Sequence, residues 1–108
     1  MSAFEEREEG FERRHALDEE LRFKSLARRN KLLGLWVAEK IGLAGEAASA
    51  WAETLVARQV ERPDDDAALV ETLHEALAKA KLAISRHRIG RKIEETMARA
   101  TEEISQGR

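Results

Sequence analysis

Apolar residues recur along this chain at three- and four-residue steps, the spacing that lines one face of a helix. The densest run is RRNKLLGLWVAEKIG at 28–42, where Leu32, Leu33, Leu35, Trp36, Val37 and Ala38 leave almost no polar face. It is too short to span a bilayer, which takes about 20 apolar residues. A helix apolar nearly all round must be covered by protein on several sides, so it reads as the inner helix of a small bundle. The spacing predicts a helix over 20–41, with Leu26, Leu33, Trp36 or Val37, and Ile41 in register and Leu21 and Phe23 extending the set backward. Gly42 suits the position just past a helix C-terminus. Gly34 costs the helix about 1 kcal/mol against alanine; the expected return is close approach by a neighbouring helix.

Ala44, Ala48, Trp51 and Leu55, flanked by Ala47, Ala52, Val56 and Val60, predict a second helix over 44–60. The short Gly42–Gly45 hinge should lay it antiparallel on the first. ERPDDD at 61–66 breaks the pattern. Pro63 is tolerated in a first turn, and Asp64, Asp65 and Asp66 suit an N-cap. Such an acidic run could also hold a cation, but capping is the preferred explanation. Leu69, Leu73, Ala76 or Leu77, and Ala80 predict a third helix over 65–82. Ser85 caps a fourth over 86–105, with Ile89, Ile93, Met97, Ala100 and Ile104 on one face and charges on the other; Gly90 weakens its first turns. The fold class is all-α, a four-helix bundle over 20–108.

Residues 1–19 differ. They are charge-dense, Gly10 should interrupt a helix, and only Phe4, Phe11 and Leu17 are large and apolar. So few groups cannot offset ordering costs of about 1–2 kcal/mol per residue, which predicts a flexible or fraying arm when the protein is alone. Phe4 and Phe11 nevertheless fall on one helical face, close to Leu17 or Asp18, a sparse stripe able to fold against a partner. The plain alternative is a solvated tail.

With 108 residues the chain makes one small domain, and strong helix formers dominate it. A net charge of −2 and a pI near 6.0 argue against a nucleic-acid binder. The absence of cysteine excludes disulfides and thiolate chemistry and suits a reducing compartment. No signal peptide is visible. Neither a hydrolase triad nor a glycine-rich phosphate loop is present, and His15, His74 and His87 have no nucleophile context. Glu12–His15 and Glu71–His74 share the Glu-x-x-His spacing of di-iron bundles, with Glu39 and Glu94 or Glu95 as further ligands. Such spacings arise by chance on solvated helices, so no metal and no catalysis are expected. Arg28, Arg29 and Lys31, and the later Arg86, His87, Arg88, Arg91 and Lys92, are candidate anion sites; the second group reads better as a solvated face. Trp36 and Trp51 read as core anchors.

The block ELRFKSLARRNKLLGLWVAEKIG at 20–42 closely resembles the signature of the zeta subunits of alpha-proteobacterial F1F0 ATP synthases. Phe4-Glu5-Glu6-Arg7-Glu8 and Ile89-Gly90-Arg91-Lys92-Ile93 are similar to that family too. The resemblance implies a four-helix bundle with a mobile N-terminal arm and an intrinsic inhibitor of ATP hydrolysis. It implies an arm that enters a catalytic α/β interface of the F1 sector and contacts the γ subunit. It also implies ADP or ATP as a regulatory ligand on the bundle, with no cofactor required, and a cytoplasmic protein peripheral to the membrane through F1. On that basis Phe4, Phe11 and Leu17 would supply buried contact, and Glu5, Arg7, Glu8, Arg13 and Arg14 would pair with the walls. The alternative is a small nucleotide-sensing bundle acting on another partner, with Arg28, Arg29 and Lys31 for phosphate and Trp36 for the base.

Overall fold

The computed structural model describes the backbone of residues 3–62 and 65–107, and the side chains of 18–62 and 65–107. Four helices follow in order: α1 (Ala3–Lys40), α2 (Gly45–Glu61), α3 (Asp66–Lys79) and α4 (Arg86–Ser105). There is no strand among the described residues, and the all-α bundle expected from the spacing is what forms. α1 starts well before residue 20 and runs past Gly10 without a break. A single glycine among strong helix formers costs only about 1 kcal/mol, too little to end a helix.

The helix ends follow local chemistry. At the C-terminus of α1 the Leu43 N–H donates to Ala38 O at 2.8 Å and the Gly42 N–H to Glu39 O at 3.2 Å. That pair of bonds needs a left-handed residue at Gly42, whose φ is +89°. α3 ends the same way, with Leu82 N–H to Leu77 O at 3.0 Å and Lys81 N–H to Ala78 O at 2.9 Å. Here the left-handed position falls on Lys81, φ +62°, so α3 stops at Lys79 rather than reaching residue 82. Asp65 accepts from the Ala68 N–H at 3.0 Å and Ser85 from the Arg88 N–H at 3.1 Å, so both expected N-caps form.

α1 is the hub. α2 and α4 pack along it, and α3 packs on α4 and reaches α1. The core joins Leu33 and Val37 of α1, Leu55 of α2, Leu69, Leu73 and Leu77 of α3, and Ile89 and Ile93 of α4. Trp36 and Trp51 border it, half-buried. Gly34 lies against Ala52 so closely that a Cβ there would meet Ala52 Cα at 2.5 Å, the close approach its presence in the helix predicted. On α4 the buried set is Ile89, Ile93, Thr96 and Ala100, while Met97 and Ile104 are only half-buried.

Candidate functional site

The basic run that opens the apolar block fans around α1 rather than converging. Arg28 Nε donates to Glu103 Oε2 of α4 at 2.7 Å, and Arg99 Nε donates to the other oxygen at 3.2 Å. These two guanidiniums, Arg28 first, hold the Glu103 carboxyl below its ordinary range. Lys31 Nζ lies 2.6 Å from Glu53 Oε1 of α2. Arg29 turns inward and is only 3% exposed. Its Nη1 donates to Asp66 Oδ2 at 3.3 Å, its Nη2 to Gln59 Oε1 at 3.3 Å, and its Nε to Asn30 Oδ1 at 3.1 Å. Asn30 is also buried, and its Nδ2 donates to Leu55 O at 2.8 Å and to Gln59 Oε1 at 3.3 Å. Among the described residues no buried side-chain polar atom lacks a partner, as a low-dielectric interior demands.

Four successive residues therefore tie α1 to all three other helices at one level. That level is also where the bundle stops: Gln59 lies near the end of α2, Asp66 opens α3, and Glu103 is near the end of α4. Asn30 and Gln59 were not singled out in the sequence, and Asp66 was read only for capping or a cation; the available signal was two amides inside otherwise apolar stripes.

Trp36 stands apart from this clamp. Lys92 Nζ sits 5.5 Å from its ring centroid, within cation–π range. Together they border a groove of about 380 Å³ between α1 and α4, with Leu32, Glu39, Glu95 and Arg99. Arg88 and Arg91 line its continuation past Trp36. Arg86 is diverted to α3, where its Nε donates to Glu71 Oε1 at 2.6 Å and its Nη2 to Oε2 at 3.2 Å. That bidentate bond lowers the Glu71 pKa and raises that of Arg86. Glu71 is thus engaged by arginine, and no group of three His, Asp or Glu among the described residues is placed to hold a metal. The arm positions Phe4, Glu5, Arg7, Glu8, Phe11, Arg13, Arg14 and Leu17, and the Glu12–His15 pair, have side chains outside the described residues.

A family model described as ATPase inhibitor subunit zeta matches residues 1–103. The chain belongs to that family. No curated protein and no solved structure matches it. Membership places this zeta-family chain among inhibitor subunits of an ATPase. The match spans the helical bundle and the N-terminal segment together, as the resemblance at 4–8, 20–42 and 89–93 implied. None of the helices, among the described residues, is long and apolar enough to cross a membrane.

Proposed function

We propose that this chain blocks ATP hydrolysis by the F1 sector of an F1F0 ATP synthase by inserting residues 1–19 into a catalytic α/β interface and against the γ subunit. The observation that carries the reading is the level of the clamp. α2, α3 and α4 meet α1 at Arg28–Asn30 and end or begin there, yet α1 starts at Ala3. At 1.5 Å per residue, a helix over the arm would extend about 25 Å, long enough to lodge between subunits and obstruct rotation. Phe4, Phe11 and Leu17 supply the apolar contact, and Glu5, Arg7, Glu8, Arg13 and Arg14 set register by pairing with the walls. The bundle is the bulk that the arm cannot drag through. The protein then works at the cytoplasmic side of the membrane, held there through F1.

The test is a chain lacking residues 1–19, assayed for inhibition of ATP hydrolysis by the cognate F1. Loss of inhibition with thermal unfolding retained is expected; undiminished inhibition refutes the reading. Phe4→Ala with Phe11→Ala should weaken inhibition without lowering the melting temperature.

The groove beside Trp36 favours a second, compatible reading, ADP or ATP as a regulatory ligand. Arg28 and Lys31 are taken up by Glu103 and Glu53 and Arg29 is buried, whereas Arg88 and Arg91 offer positive charge beside Trp36, whose ring faces Lys92, itself 3.7 Å from Glu95. Quenching of tryptophan fluorescence by ADP, lost in Arg88→Ala/Arg91→Ala, is the expected result. Unchanged fluorescence and amide shifts over 32–39 and 88–99 would dismiss it.

A further inference from the structure

Among the described residues the large apolar side chains most open to solvent are Leu21, Phe23 and Val60, at 43%, 51% and 67% exposure. All three lie at one end of the bundle. Val60 follows Gln59 at the close of α2, level with the Arg29 clamp. Leu21 and Phe23 stand eight and six residues before Arg29 on α1, about 9–12 Å along the helix.

The helical period puts them on opposite flanks. Phe23 precedes Asn30 by two turns and so lies on the side that meets α2, while Leu21 precedes Arg28 by two turns and lies on the side that meets α4. Within the bundle, Leu26 on the same helix is 6% exposed. The exposure thus begins where the other helices end, and it surrounds the base of the arm. Beside Leu21 and Phe23 on α1, Glu20 pairs with Lys24 at 2.9 Å, and Glu19 and Arg22 are also engaged. On that stretch of α1 the apolar side chains are left as the recognition element.

We infer that Leu21, Phe23 and Val60 form a collar that seats on an apolar rim of the same ATPase that receives the arm, and so sets how deep the arm enters. The inference rests on the arm reading above. A partner gripping α1 up to Leu17 has its rim four to six residues from Leu21 and Phe23, about 6–9 Å along one continuous helix. Insertion brings that rim to Leu21 and Phe23, whose apolar side chains convert contact into affinity; Val60, level with Arg29 and so about 18 Å beyond Leu17 along α1, meets the rim only at the deepest seating.

The test is the full chain carrying Leu21→Gln, Phe23→Gln and Val60→Gln, beside the arm-deleted chain. Glutamine keeps helix propensity, and the sites are exposed, so the melting temperature should hold. The expected result is a rise of about tenfold or more in the concentration giving half inhibition. The native chain has no cysteine, so Leu21→Cys bearing a short photo-cross-linker should also join the chain to the ATPase. Unchanged inhibition by the triple variant, or no cross-link while inhibition persists, overturns the collar. So does a dimer of the native chain that the triple variant loses without any change in inhibition. Failure of the arm reading shows differently: the arm-deleted chain still inhibits, whatever the collar variants do.

Discussion

Gly34 and Gly90 both sit inside helices, and replacing each by alanine should move stability in opposite directions. At Gly90 an added Cβ meets nothing within 4 Å. The helix gains propensity and the chain gains up to about 1 kcal/mol, which raises Tm by roughly 4 °C. At Gly34 the same methyl lies 2.5 Å from Ala52 Cα, 2.7 Å from Ala52 Cβ and 3.3 Å from Ala52 O. The nearest atom is backbone, so no side-chain rotation relieves it; α1 and α2 must separate by about 1 Å to restore ordinary carbon contact. Separation also strains the 2.8 Å bond from Asn30 to Leu55 O. Overpacking of this kind costs about 1–3 kcal/mol, and the backbone clash together with the stretched hydrogen bond puts Gly34→Ala at the top of that range. After the propensity gain of about 1 kcal/mol, the expected net loss is about 2 kcal/mol, a fall in Tm of roughly 8 °C.

The assay is thermal and urea unfolding followed by circular dichroism, with all variants in one buffer. A companion variant sharpens it. Ala52→Gly in the Gly34→Ala background removes the 2.7 Å contact but leaves the 2.5 Å contact with Cα. It should not restore stability, and it adds the cost of a glycine in α2, about 1 kcal/mol. Wild-type stability in Gly34→Ala, or full rescue by Ala52→Gly, would refute the claim that backbone proximity fixes this position.

Three further outcomes follow from the same contacts. Arg29→Met should cost about 2 kcal/mol, because Asn30 Oδ1 loses a buried donor, whereas Asp66→Asn should cost under about 1 kcal/mol, its carboxylate being 57% exposed and screened; urea midpoints read both. Lys81→Gly should stabilise the chain by about 0.5–1 kcal/mol, since the left-handed φ of +62° suits glycine better than lysine; a lower Tm would contradict it. Glu71 and Glu103 have pKa values lowered by Arg86 and Arg28, so their stabilisation is complete above the unfolded carboxyl value of about 4.3 and is lost as pH falls through the lower folded values. Tm should drop on that acid limb, and Glu71→Gln/Glu103→Gln should make the limb shallower.

The bundle was legible because its core is written in local patterns. Leu69, Leu73 and Leu77 are all fully buried or nearly so, and Asp65 and Ser85 cap as their positions implied. Gly34 announced the α1–α2 contact by its cost alone. What escaped depends on partners distant in sequence or on competing side-chain chemistry. Arg29 looks like an outward charge beside Arg28 and Lys31, and only the start of α3, thirty-seven residues on, supplies Asp66 to draw it inward. Thr96 takes an interior place that spacing gave to Met97, because its hydroxyl donates to Lys92 O in its own helix and needs no other partner. Lys81 carries none of the composition that marks a left-handed turn.

The same misreading of Arg29 bears on function. A phosphate would need that charge turned outward; here Arg29 is buried and bonded to Asn30, Gln59 and Asp66. If the arm stops a rotary enzyme as proposed, it must pass its load into the bundle through α1, and α1 is held there by side-chain bonds to three separate helices at one level. Exposed ion pairs such as Lys31–Glu53 contribute little alone, but the buried amide–guanidinium network couples α2 to the same turn, and Arg29 reaches α3 through the exposed Asp66 carboxylate. Loosening that turn, as Arg29→Met would, should therefore weaken inhibition more than its cost in stability explains, because the arm stays intact while its footing shifts. If inhibition by Arg29→Met at a temperature well below its melting point equals that of the native chain, the brace is structural only and the load is carried elsewhere along α1.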